Sequence, residues 1–382
     1  MRITGIICEY NPLHLGHKKQ LDLIRSQNPE GGIVCLMSGN FVQRGQPAIL
    51  HKSLRAEAAI RCGADLVLEL PVTAALSSAE GFAAGGVSIL SGFCDELCFG
   101  AETADTEGFL NTARLLLSDS FPEALRAALA EGLSFPAARE KALLALGGDA
   151  SLVSSPNNIL GVEYCKAILQ QGSRLQPVPI LREGSYHDTE PDVENPSATA
   201  VRKRMEVGES WQAFLPAEAA SVFENAPLHT LDAGERAMLT RLRYMTEADF
   251  ESLPYGSEGL WRKLINAVHN SATLEEIITA TKSKRYTRSR IDRMLLCAFL
   301  GIDKTTLEAP APYTRVLALN DRGREILKLA RTTGNFPNIG EQLDHPWQAL
   351  ENRFGDLYGL FCRDLPEAAG VEADCRIYYH KP

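Results

Sequence analysis

Two histidines three residues apart, His14 and His17, flank Gly16 in the run Asn11-Pro12-Leu13-His14-Leu15-Gly16-His17. A glycine lets backbone come close to a ligand, and two imidazoles offer hydrogen-bond donors to oxyanions. A helix that starts near Gly16 turns its first N–H groups toward the same anion. Pro12 stiffens the turn. Together these groups suit a triphosphate, and the chemistry they support is cleavage of ATP. Taken alone, the pattern could equally be two surface histidines on a loop. Far downstream, Ser197-Ala198-Thr199-Ala200-Val201-Arg202 reads as a helix start capped by Ser197, with Thr199 and Arg202 as a hydroxyl and a cation.

The elements around the first motif favour the chemical reading. Short apolar runs at Thr4–Glu9, Gly32–Met37, Asp65–Leu70 and Glu96–Gly100 read as strands, and Gly16–Ser26, Ser53–Cys62 and Ala79–Leu90 between them as helices. Nearly continuous apolar strands separated by single helices imply parallel pairing with right-handed crossovers, a doubly wound α/β sheet. Ligands gather at the carboxyl ends of such strands. Those ends carry Glu9-Tyr10-Asn11, Ser38-Gly39-Asn40, Glu69-Leu70-Pro71 and Gly100-Ala101-Glu102, so His14 and His17 fall on the binding edge. Helices follow over Thr106–Leu146 and Asn158–Gln170, then a strand at Gln176–Leu181. The α/β part, 1–208, ends near Gly208; 209–308 is mainly helical, and a Pro-rich seam at Ala309–Pro312 opens a mixed segment, 309–382.

Bulk properties exclude some classes. The chain has 382 residues, 45% hydrophobic, and a formal net charge of -9, which argues against coating nucleic acid through its overall field. The opening Met1–Cys8 reads as a strand rather than a secretory signal, and Ala74–Phe93 falls short of a membrane span, so a cytoplasmic protein is expected. Nine scattered cysteines without a C-x-x-C pair read as reduced core thiols.

The H-x-G-H turn followed by the Ser197–Arg202 motif resembles the nucleotidyltransferase superfamily, Rossmann-like in fold. Longer stretches narrow the likeness: Glu9–His14, Met37–Gly45, Ala64–Pro71, Phe99–Glu102, Asn157–Gly161, Arg182–Asp188, Lys284–Thr287 and Asn320–Arg324 resemble the bacterial tRNA-Met cytidine acetate ligases. The resemblance implies activation of acetate by ATP to acetyl-adenylate, with Mg2+ held largely by the phosphates, then acetyl transfer to N4 of the wobble cytidine of elongator tRNA-Met. It also implies an ATP site made of Ile7, Cys8, Glu9, Tyr10, Asn11, Pro12, Leu13, His14, Leu15, Gly16, His17, Lys18, Lys19 and Gln20, then Gly100, Asn157 or Asn158, and Arg182. Asn157 also reads as a helix cap, which tilts the choice toward Asn158. Ser197, Thr199 and Arg202 would contact the departing pyrophosphate. Leu13 and Leu15 stand where many relatives carry Phe and a small polar residue.

A local basic cluster fits the RNA half. Lys282, Lys284, Arg285, Arg288, Arg290 and Arg293 place six positive charges in twelve residues around Tyr286, which could stack on a base. Arg44, in the loop after the second strand, could steer acetate or a tRNA phosphate. The competing reading of each is a solvated surface. His51 and Lys52 either line the site or are surface charges. Two other functions use parts of this set: a small-molecule adenylyltransferase making a nucleotide cofactor, and a non-catalytic RNA-binding protein with a nucleotide site.

Overall fold

The computed structural model describes residues 1–182, 196–283, 285–364 and 369–381. Nine strands occur among them: β1 Ile3–Cys8, β2 Gly32–Ser38, β3 Phe41–Val42, β4 Gln46–Pro47, β5 Leu66–Leu70, β6 Glu96–Ala101, β7 Gln176–Leu181, β8 Val316–Leu319 and β9 Tyr378–Tyr379. Seven form one sheet in the order β7-β6-β1-β2-β5-β8-β9, and β3 and β4 form a small hairpin. β1 pairs in parallel with β2 from Ile3↔Gly32 to Cys8↔Met37, and β6 and β7 continue the parallel array on its other side. The expected doubly wound sheet is therefore present.

Alternation along the strands splits the core. Val34, Leu36, Leu66, Leu68, Leu97 and Phe99 face one helical layer, packed with Phe82, Val87, Phe109 and Tyr164. Ile6, Ile33, Cys35, Met37, Val67 and Cys98 face the other, packed with Leu21, Ile24 and Ile60. Period-two burial on both faces is what a central strand requires. The helix Ala79–Leu90 lies so close to β1 that a Cβ at Gly86 would come within 2.3 Å of the Ile7 side chain. All nine cysteines are free, and most are buried.

The region between Gln212 and Glu308 is helical as expected, with its own core built on Met238, Leu264, Ile277, Met294 and Phe299. The last 70 residues divide between the two bodies. β8 joins the edge of the sheet antiparallel to β5, and β9 pairs beside it. The helix Pro346–Gly359 instead sends Phe354 and Tyr358 into the helical core. No composition shift marks this return, because a short strand such as Val316–Leu319 reads like any apolar tetrad. No described helix is long and apolar enough to cross a membrane.

Candidate active site

The turn after β1 is built by mutual capping. His14 is the N-cap of the helix Leu15–Gln27; its Nδ1 accepts from the Gly16 N–H at 3.1 Å, and the His14 N–H donates to His17 Nδ1 at 3.3 Å. Both Nδ1 atoms thus act as acceptors, which places the proton of each neutral ring on Nε2 and leaves that atom as a donor. The rings stack with centroids 3.8 Å apart. Burial, then the nearby Arg182 and Arg202 charges, lowers the His14 pKa to about 3; burial and the neighbouring His14 lower that of His17. A Cβ on Gly16 would meet His14 Cε1 at 3.0 Å, so the glycine is what lets the imidazole lie over the helix N-terminus.

Two buried polar side chains hold this turn. Asn11 accepts from the Ile49 N–H at 2.8 Å, and Tyr10 takes a left-handed backbone, φ 43°, that turns the chain out of the sheet. Arg55, fully buried, donates to the carbonyls of Leu50, Glu9, Ser38 and Gly39. One guanidinium therefore ties the carboxyl ends of β1 and β2 together. Nothing in the sequence distinguishes Arg55 from any helical arginine, because its four acceptors are backbone carbonyls.

The distant motif arrives at the same place. Ser197 caps the helix Ala198–Val207 by accepting from the Ala200 N–H, and from its second turn Arg202 reaches Asn11 O at 2.6 Å and Thr199 Oγ1 at 3.1 Å. At the end of β6, Gly100 leaves room for Arg182, whose Cγ and Cδ would lie 3.0 Å from an added Cβ. Arg182 donates to Asn157 Oδ1 at 3.1 Å. Asn157 Nδ2 donates to Glu102, which also takes the Ser155 hydroxyl and the Asn158 N–H. Asn158 is buried, its Oδ1 accepting from Glu102 N and its Nδ2 donating to Thr103. The asparagine beside Arg182 is thus Asn157, and neither is the helix N-cap, which is Ser155.

Other expected residues spread along the turn and the first helix. Ile7 is core, and Cys8 is half-buried. Pro12 and Leu13 are buried, while Leu15 and Lys18 are partly covered, Lys18 pairing with Asp22. Lys19 is exposed, and Gln20 donates to Cys98 Sγ at 3.5 Å. Glu9 accepts from the Gln43 N–H at 2.7 Å; burial pushes its carboxyl upward, against the pull of that bond and of Arg202, Arg55 and Arg44. Arg44 is exposed at the tip of the β3–β4 hairpin. Lys52 is not a surface charge: it is buried between Glu69 and Glu372.

The basic cluster differs from its sequence reading. Arg285 pairs with Glu258, and Arg288 makes two hydrogen bonds to Glu275. Arg290 donates to Tyr255 O, and Arg293 is buried over the Tyr255 ring. Tyr286 is buried with its hydroxyl on Glu258 O, so it does not offer a face to a base. Glu258, from a turn, and Glu275, from another helix, neutralise part of what looks one-sided in sequence. Lys284 and residues 183–195 lie outside the described residues.

Comparison with known proteins agrees with this geometry. A family model described as HIGH Nucleotidyl Transferase matches residues 1–366. The tRNA(Met) cytidine acetate ligase of Clostridium novyi is 38% identical over 356 residues, covering 88% of this chain and 89% of the relative. That of Alkaliphilus metalliredigens is 38% identical over 371 residues, covering 89% and 87%. Two crystal structures of Thermotoga maritima TmcAL, one bound with alpha-thio ATP and one apo, superpose with TM-scores of 0.89 and 0.91 at 30% identity over the whole of both chains. The chain belongs to the HIGH nucleotidyltransferases and, within them, to the tRNA(Met) cytidine acetate ligases.

Proposed function

We propose that this chain activates acetate with ATP to acetyl-adenylate and pyrophosphate, then passes the acetyl group to N4 of the wobble cytidine of elongator tRNA-Met. The observation that carries the reading is the contact of Arg202 with Asn11, which sets a guanidinium against the turn holding two Nε2 donors and a helix N-terminus. Acetate is already a nucleophile, so the first step needs no base. The protein's work is alignment and charge neutralisation: His14, His17 and the helix Leu15–Gln27 face the triphosphate, with Arg202 and Thr199 on the departing pyrophosphate. Asn157, Gly100 and Arg182 would hold the nucleoside side of the same edge.

Among the described residues no group of three or more His, Cys, Asp or Glu could hold a metal. Mg2+ is proposed as a partner of the triphosphate oxygens, the hard ligands it prefers. In the second step the cytosine amine displaces AMP from the mixed anhydride after the base leaves its stack. Arg44, Lys284, Arg285 and Arg288 are the cations the sequence offers to tRNA, and of these Arg285 and Arg288 are already held by Glu258 and Glu275. A cytoplasmic location accords with such a substrate. A cofactor-making adenylyltransferase would use the same turn but leaves the helical region without a task. Acetate-dependent ATP–pyrophosphate exchange tests the reading; exchange that ignores acetate would exclude it.

A further inference from the structure

The cations of the 285–293 cluster are largely spent on carboxylates and carbonyls, so uncompensated positive charge lies elsewhere on the surface. The helix Leu231–Tyr244 presents one. Arg236, Thr240, Arg243 and Tyr244 are exposed along a single face, at the i, i+4, i+7 and i+8 spacing of one helical stripe. With Leu239 they line a shallow depression of about 510 Å³. Tyr244 is 83% exposed, the highest value among the exposed large apolar side chains, although Tyr normally covers its ring. Arg243 makes a single long contact, to Ser271 O at 3.4 Å, and Arg236 has no ion pair among the described residues. Thr240 is turned back on its own helix, donating to Arg236 O.

We propose that this face binds a single-stranded stretch of the tRNA substrate, Tyr244 stacking on a base while Arg236 and Arg243 meet the flanking phosphates. The assignment rests on the reading that the acceptor is a tRNA. A bare aromatic ring beside two guanidiniums that form no ion pair among the described residues has the chemistry of an RNA platform: every base has a π-face, and such charge can displace counterions from phosphate. Arg288, already chelated by Glu275, would have to break two hydrogen bonds before doing the same. An acidic protein of net charge -9 gains little from its overall field, so such a local patch decides where RNA lands.

The test uses the full chain and an unmodified elongator tRNA-Met transcript, with binding followed by fluorescence anisotropy across a salt series. Tyr244→Ala is expected to weaken binding by about 5- to 150-fold, the loss of one base stack, while Tyr244→Phe binds like wild type. Arg236→Gln with Arg243→Gln should weaken binding and reduce the salt slope by about 1.4. Acetate-dependent ATP–pyrophosphate exchange stays at the wild-type level in all three, which separates this face from the nucleotide site. Unchanged affinity and slope in the Ala and double-Gln variants would overturn the proposal while leaving the ligase reading in place. So would Tyr244-dependent self-association, seen by sedimentation, with tRNA binding unaltered. Wild-type protein that binds tRNA through Tyr244 yet forms no acetylcytidine would sink the ligase reading and leave this surface standing.

Discussion

Arg202 donates to the backbone carbonyl of Asn11 at 2.6 Å, joining two motifs 191 residues apart in sequence. Joined, the two motifs bring the Arg202 guanidinium up to the turn that carries His14 and His17. Arg202→Ala should lower kcat/KM for ATP in the exchange reaction by about 10- to 150-fold, the range for a lost charge-assisted hydrogen bond. Arg202→Lys keeps the charge without the fork and should fall between. Wild-type kinetics in Arg202→Ala would detach the second motif from the site.

Gly16→Ala tests the capping geometry. A methyl group 3.0 Å from His14 Cε1 must push that imidazole aside, because the ring is buried and has little room. Exchange activity should drop by at least about tenfold with a small change in melting temperature, since only one turn moves. An equal loss of stability and activity would mean that Gly16 serves the fold alone.

The neutral histidines predict an unusual pH response. In the unfolded chain a histidine binds a proton below about pH 6.5, whereas folded His14 resists until about 3. Its stability contribution is complete above pH 6.5 and is lost as pH falls toward 3. Glu69, raised to about 7 by burial, works in the opposite sense, so wild type must be compared with a variant. The stability of wild type relative to His14→Asn, from urea denaturation, should shrink between pH 7 and pH 5. For the free enzyme, kcat/KM for ATP should show no acid limb near pH 6.5.

Arg55 predicts a structural failure rather than a catalytic one. Arg55→Met strands four carbonyl acceptors at the ends of β1 and β2 and the turn before the next helix, at a cost on the order of 3–5 kcal/mol. Denaturant titration checks it; a change under about 1 kcal/mol would show that these carbonyls find other donors.

The parallel sheet and the H-x-G-H turn were legible because their signals are local: apolar runs of strand length, a Gly between histidines, a helix directly after. The Ser197–Arg202 helix was legible for the same reason, although its contact with Asn11 was not. Three features escaped because they depend on partners far away. Glu102 acts by gathering Ser155, Asn157 and Asn158, and Asn157 is the one that lies beside Arg182. Lys52 is buried between Glu69 and Glu372, the latter returning to it across 320 residues. Tyr286 looked free because the sequence around it is basic, yet the fold covers it with Glu258. Periodicity reports which face is buried, not which element buries it.

The central claim is tested most directly by incubating the purified chain with ATP, isotopically labelled acetate and unmodified elongator tRNA-Met, then analysing the digested nucleosides by mass spectrometry. The account predicts label in N4-acetylcytidine, with AMP and pyrophosphate formed, and none with His17→Ala. Consumption of ATP without labelled acetylcytidine in the wild-type reaction would contradict it.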